Sequence, residues 1–234
     1  MVGELSGMKI AIIATDGVEQ VELTTPRGAV EAAGAEVELL APRSGAILGL
    51  NHIDKGDTFT VDTPVAQADP TDYAALLLPG GVVNADDLRR DRAAQDFVGA
   101  MFQQHKPVAV ICHGPWILVE VDAVRGRTIT SYPSIQTDLR NAGATWVDEE
   151  VHVEDRLVSS RSPADLPAFC AAILDVFARP AGTSTSRMAG TSRARQLCDL
   201  AQLEIAQSHV SAIDNSRDSE GGQGDGRVAP TRGD

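Results

Sequence analysis

The sequence predicts an α/β fold, a doubly wound and mainly parallel sheet with helices on both faces. Three observations predict it. Short uninterrupted apolar runs at 8–14, 73–79 and 107–111 read as strands buried on both faces. Segments with helical spacing of apolar residues separate them. Glycines at 34 and 143 stand where helices should stop.

In chain order, MKIAIIA (8–14) is the first strand, and residues 22–33 form a helix that closes on Gly34. EVELLA (36–41) follows as a strand, and YAALLLP (73–79) as another. A helix is expected at 90–104, apolar at Ala93, Ala94, Phe97, Val98 and Met101, and then the strand PVAVI (107–111). GPWILVEVDAV reads as helix, RTITS as strand, SIQTDLRNAGA as helix, VHVEDRLVSS as a hairpin near a sheet edge, and 163–178 as a closing helix. Repeated strand-helix-strand units with right-handed crossovers make this a flavodoxin-like architecture.

Two domains of unequal character are expected. Residues 1–178 carry the α/β pattern. Residues 179–234 contain no Phe, Trp or Tyr and end in a polar, Gly-rich stretch that cannot bury enough apolar surface to order itself. Within this extension, 196–213 places Leu197, Leu200, Ala201, Ile205 and Val210 along one face of a short helix, either a docking element or one without a partner.

Charge excludes some partners. With 20 basic and 33 acidic residues the chain carries a formal charge of −13, which repels nucleic acid and anionic membrane surfaces. No apolar run is long enough to span a bilayer and the N-terminus lacks a signal-peptide pattern, so a cytoplasmic protein is expected. Cys112, Cys170 and Cys198 cannot all pair, and no spacing of Cys or His suits a metal, so each is read as a thiol. No cofactor is implied.

Ligands of a doubly wound sheet collect at the carboxyl ends of its strands. The segments there are TDGVEQVEL, PGGVVNADD and CHGP. Cys112 follows a buried strand and precedes an apolar helix, as a nucleophile elbow requires, although Val110 replaces its first glycine. The helix N-terminus should lower the thiol pKa below about 8.5; a buried structural cysteine is the alternative. His113 is a candidate general base that needs an orienting acid. Glu19 and Glu22 suit a helix start for electrostatic reasons alone, or one of them reaches the sulfur. Gly81 could bring an N–H to the site and, with that of His113, form an oxyanion hole.

E-x-x-E-L at 19–23 with Pro26, LPGG at 78–81, AVICHGP at 109–115, TSYP at 130–133, NAGA-x-WVDEEV at 141–151 and SSR-x-PADL at 159–166 together resemble the PfpI family of intracellular cysteine proteases. That family belongs to the class I glutamine amidotransferase-like superfamily, which includes a deglycase. The resemblance spans about Met8 to Ala178. It implies Cys112 as nucleophile, His113 as its histidine, Glu22 as the carboxylate on the sulfur and Tyr132 near the pocket. It further implies a homo-oligomer, dimer or higher, in which Asp86 of a neighbouring copy completes the histidine; Asp86 also suits a helix N-cap ahead of LRRD. The implied activity is cysteine-dependent hydrolysis of peptides or amides, or glyoxalase and deglycase chemistry on small carbonyl compounds. The reading from another class is a stress protein whose Cys112 is oxidised to a sulfinate held by Glu22, and a third makes the extension the functional element.

Overall fold

Alternation along the central strands sorts their side chains into two cores. In β1 (Lys9–Ile13), Ile10 and Ile12 enter one apolar cluster, while Ala11 and Ile13 enter another. That is why this run carries no polar face. The computed structural model describes residues 3–180. The rest of the extension, including 196–213, Cys198 and His209, lies outside the described residues.

After β1 come a two-residue strand β2 (Val18–Glu19), helix α1 (Gln20–Ala32) and strand β3 (Glu36–Ala41). A hairpin of β4 (Ala46–Asn51) and β5 (Asp54–Thr60) precedes the short β6 (Thr63–Pro64) and the buried β7 (Ala75–Leu78). Helices α2 (Val82–Arg90) and α3 (Arg92–Gln103) lead to β8 (Val108–Ile111) and α4 (Pro115–Glu120). The chain continues through β9 (Thr128–Ile129), α5 (Gln136–Asn141), β10 (Thr145–Trp146), β11 (Val151–Glu154), β12 (Leu157–Ser160) and α6 (Leu166–Phe177).

The main sheet has the order β11-β12-β8-β7-β1-β3-β6. Every pairing is parallel except that of edge strand β11 with β12, the expected hairpin. Leu23 and Val30 of α1 and Phe169, Ile173 and Phe177 of α6 cover one face. Leu88, Phe97, Met101, Leu118 and Leu139, from α2 to α5, cover the other. From β1 the chain moves outward to β3, then returns past β1 to β7. The carboxyl ends of β1 and β7 therefore flank the point where the winding reverses, and a crevice opens there.

Two segments differ from expectation. The helix expected at 90–104 is α3, and a further helix that the pattern did not predict, α2, precedes it and begins at Val82 directly after the PGG turn. The break falls at Asp91, whose extended backbone stops α2 and whose side chain accepts the N–H of Ala94 to cap α3. Asp86 thus sits inside α2, exposed, and the capping role proposed for it belongs to Asp91.

The second is the β4–β5 hairpin, which forms a small sheet with β2. DKGDTFT shows little apolar alternation because β5 is largely exposed. A contact remote in sequence holds it instead: the buried side chain of Gln20 donates to Asp57 Oδ2 at 2.7 Å and accepts from Asp57 N at 2.6 Å. Among the described residues, no helix is long and apolar enough to cross a membrane.

Candidate active site

Strand β8 ends at Ile111, and the next residue turns the chain sharply. Cys112 has φ of +61°, a left-handed conformation that costs a residue with a side chain on the order of 1 kcal/mol or more. Neighbouring segments hold it there. Its N–H donates to Ser160 O at 3.1 Å at the end of β12, and its carbonyl accepts the N–H of Tyr132 at 2.9 Å. The side chain is 7% exposed, at the floor of a cleft of about 440 Å³.

Glu22 approaches the same floor from α1. Its carboxyl is buried; Oε2 accepts the N–H of Gly80 at 2.8 Å, and the same carboxyl interacts with the Cys112 thiol. The LPGG turn packs against both groups. A Cβ on Gly80 would lie 2.5 Å from Glu22 Oε2, 2.6 Å from Cys112 Cβ and 3.0 Å from His113 N. Gly81, at φ of +90°, carries its peptide so close to Gly17 that a Cβ would meet Gly17 O at 2.4 Å. In this position its N–H acts on the Cys112 sulfur, as does that of His113.

His113 Nδ1 stands 3.2 Å from Cys112 Sγ, and its Nε2 stands 3.1 Å from Ser134 Oγ. Its ring stacks on Tyr132 at 4.8 Å between centroids and meets Trp116 edge-on at 5.4 Å. Within the described chain the partner of the distal nitrogen is therefore a hydroxyl. Asp86 does not line the cleft.

The electrostatics follow from burial. Desolvation, with a smaller push from Glu19, raises the Glu22 carboxyl to about 8 against the opposing hydrogen bond from Gly80. Burial and then the negative charge of Glu22 push the Cys112 thiol up, not below its free value as a helix N-terminus alone suggests. The N–H groups of Gly81 and His113 pull the other way. The two acids compete: a neutral Glu22 removes the repulsion and can donate a hydrogen bond to a thiolate as it forms, whereas an ionised Glu22 holds the proton on sulfur. Burial also lowers the pKa of His113, which keeps the imidazole neutral and able to accept a proton.

A stability prediction follows for Glu22. Its pKa is raised from 4.5 to about 8 on folding, so the native state holds the proton more tightly. The contribution is fully present below pH 4.5 and is lost as pH rises through about 8. Between these values wild type should lose about 1.4 kcal/mol per pH unit relative to Glu22→Gln. Urea unfolding of both proteins from pH 4.5 to 8.5 checks this; parallel curves would refute it.

Glu19 immediately precedes α1 at the rim, its side chain turned away from the helix to accept the N–H of His52 at the hairpin tip, 3.2 Å from Oε2. The tip carries Ile53, 91% exposed, opposite the exposed Val82 and Val83 of α2. Tyr132 and Ser134 complete that wall. Glu19, Glu22, Gly81, Cys112, His113 and Tyr132 thus come together around one cleft, and Asp86 stays outside it.

Sequence reasoning missed Asn84 and Ser134. Asn84 is fully buried and links two strand ends: Oδ1 accepts Thr15 N at 2.7 Å, and Nδ2 donates to Pro79 O at 3.1 Å and Gly80 O at 2.9 Å. A helical reading of VVNADD would have turned this residue inward. Asn84→Ala takes the partner from the Thr15 N–H and from Pro79 O, while Gly80 O keeps the N–H of Glu19 at 3.3 Å, and is expected to cost about 1–3 kcal/mol in urea unfolding. Because Asn84 sets the PGG turn, the pH profile of Cys112 alkylation should shift as well. Lost stability with an unchanged profile would make it a scaffold residue only.

No group of three or more His, Cys, Asp or Glu side chains among the described residues is placed to hold a metal. Cys170 packs in the core beside Ala29.

The model of the DJ-1/PfpI family matches residues 8–176. YraA of Bacillus subtilis, provisionally named a cysteine protease, is 41% identical over 161 residues, covering 69% of this chain and 93% of the relative. A protein/nucleic acid deglycase of Escherichia coli is 40% identical over 163 residues, covering 69% and 92%. Among solved structures, a two-domain protein from Anabaena variabilis with DJ-1/ThiJ/PfpI-like and ferritin-like domains aligns with a TM-score of 0.72 and 31% identity, over 83% of this chain and 54% of that one. The chain thus spans about half of that protein. DJ-1beta of Drosophila melanogaster has the same fold, with a TM-score of 0.69 at 22% identity over 82% and 96%.

Proposed function

The chain belongs to the DJ-1/PfpI family, and from that premise we propose that it is a cysteine-dependent enzyme acting at carbonyl carbon, with small oxoaldehydes and their early adducts as its preferred substrates. The observation that carries this reading is the meeting of Cys112 Sγ, His113 Nδ1 at 3.2 Å and a raised-pKa Glu22 carboxyl beneath an open cleft.

Cys112 Sγ adds to the aldehyde carbon, and the thiol proton passes to His113 Nδ1. As negative charge moves from sulfur to the carbonyl oxygen, the N–H groups of Gly81 and His113 are the donors beside it. In the hemithioacetal, transfer of the proton on the former aldehyde carbon to the adjacent carbonyl carbon gives a thioester. Water then hydrolyses the thioester, releasing a 2-hydroxy acid and the free thiol. The aldehyde carbon is oxidised and its neighbour reduced, so no external oxidant enters.

Aldehyde addition is favoured over amide cleavage by the partner of His113. Expelling an amine requires an imidazolium held as an acid, whereas this ring is buried, lowered in pKa and bonded to Ser134 rather than to a carboxylate. Amide hydrolysis becomes the second reading if a homo-oligomer brings Asp86 of another copy to Ser134 and His113. The protein is proposed to act in the cytoplasm, in protection against carbonyl stress, with the extension after Ala178 as a separate segment.

The experiment is a panel of methylglyoxal, peptide amides and esters with wild type and Cys112→Ala, with the oligomer mass measured in the same preparation. Consumption of methylglyoxal that disappears in the variant supports the proposal. Activity that persists without Cys112 overturns the mechanism, and an assembled protein inert toward the whole panel supports the redox reading.

A further inference from the structure

We propose that the Cys112 cleft selects against negatively charged substrates, and that Glu19 is the specificity-determining residue behind this selection. The inference deepens the carbonyl reading by naming the substrate class, and it rests on that reading for its biological meaning.

Among the described residues, those lining the cleft include two carboxyl groups, Glu19 and Glu22, and no Lys or Arg. Cations nearby are engaged elsewhere. Arg161 binds Asp165 at 2.9 Å and Asp148 at 2.7 Å. Arg43 is paired with Asp16, and Arg89 with Glu120. Lys55 lies opposite Leu50 across the hairpin but does not line the cleft. Glu19 is held at the rim by the N–H of His52, so its charge is fixed in place. Around it stand the exposed side chains of Ile53, Val82 and Val83, which bring no opposing charge to the rim, so Glu19 acts through its place at the entrance and its reach shortens as salt is added. The full chain adds a background of −13.

The cleft is also several times larger than a three-carbon oxoaldehyde needs. At about 440 Å³ it has room for part of the molecule that carries the carbonyl, and such a carrier meets Glu19 on entry. An adduct on an uncharged or cationic peptide segment is accepted. One on a molecule bearing a carboxylate or phosphate close to the carbonyl is repelled, with no arginine or lysine in the lining to receive it.

The test needs no turnover, so its failure is distinct from failure of the enzyme proposal. The alkylation rate of Cys112 is measured by peptide mass spectrometry with iodoacetamide and with iodoacetate, which differ chiefly in charge. Each rate is divided by that of N-acetylcysteinamide at the same pH and low ionic strength. The anionic reagent should be disfavoured by about tenfold beyond its disadvantage with the free thiol. Glu19→Gln should narrow this gap to about threefold or less, with a much smaller change in the iodoacetamide rate. Glu36→Gln, an equal change of charge at the start of β3, should leave the gap intact. A normalised ratio near one in wild type overturns the proposal. So does a gap that Glu36→Gln narrows as much as Glu19→Gln, which would assign the effect to net charge.

Discussion

Cys112→Ala is expected to reduce turnover of every substrate accepted by wild type by at least about 10³-fold, because among the described residues no other thiol lines the cleft to form the covalent intermediate. Cys170 is fully buried in α6 and cannot substitute for it. Cys112→Ser should be as inactive, since a hydroxyl is far less acidic than a thiol and His113, its pKa lowered by burial and with no carboxylate behind it among the described residues, is too weak a base to ionise it. Stability should move differently. Alanine retains the strained φ of +61°, whereas Cys112→Gly relieves it. The glycine variant should therefore be inactive yet about as stable as the alanine variant or up to about 1 kcal/mol more so. Urea midpoints and methylglyoxal consumption on the same samples test both halves. Wild-type turnover in Cys112→Ala would remove Cys112 from the chemistry.

Gly80→Ala is the second large effect, and it acts without touching a reacting atom. The added methyl would approach Glu22 Oε2 at 2.5 Å, Cys112 Cβ at 2.6 Å and His113 N at 3.0 Å. The last two belong to, or attach directly to, the backbone of the elbow and cannot rotate away. Relief requires the PGG turn to move off the elbow, which lengthens the Gly80–Glu22 hydrogen bond and withdraws the Gly81 N–H from the sulfur. The expected loss is about 100-fold or more in turnover, with about 1–3 kcal/mol of stability. Gly99→Ala is the contrast. Inside α3, with nothing within 4 Å of the added Cβ, it should raise stability by about 0.5–1 kcal/mol and leave turnover unchanged. Equal effects from the two substitutions would show that the tight packing around Gly80 has no functional consequence.

Much of the architecture was legible because it is written in local pattern. A strand that feeds two cores has no polar face, so the runs ending at Ile13, Leu78 and Ile111 stand out without any knowledge of their neighbours. Cys112 was legible for the same reason, since it occupies the first position beyond such a run. The hairpin at 46–60 was hidden because its stability comes from Gln20 and its pairing with β2 rather than from its own alternation. The continuity of α2 was hidden by glycines and acidic residues that read as a turn.

Sequence by itself determined the order of strands and helices, the strand ends at which chemistry could sit, and the kinds of side chain available there: a thiol, an imidazole and two carboxyls. Only the tertiary structure decided their protonation and their partners. Glu22 and Gly80, 58 positions apart, meet in the buried interior, and that burial raises the carboxyl to about 8. The same burial reverses the shift that a helix N-terminus implies for Cys112. Ser134 takes the place beside His113, and Asn84 reaches Thr15, 69 positions away, to tie two strand ends together. Periodicity survives in a linear string because it depends on neighbours in the chain, whereas a pKa depends on which surfaces exclude water, and those surfaces exist only once the chain has folded.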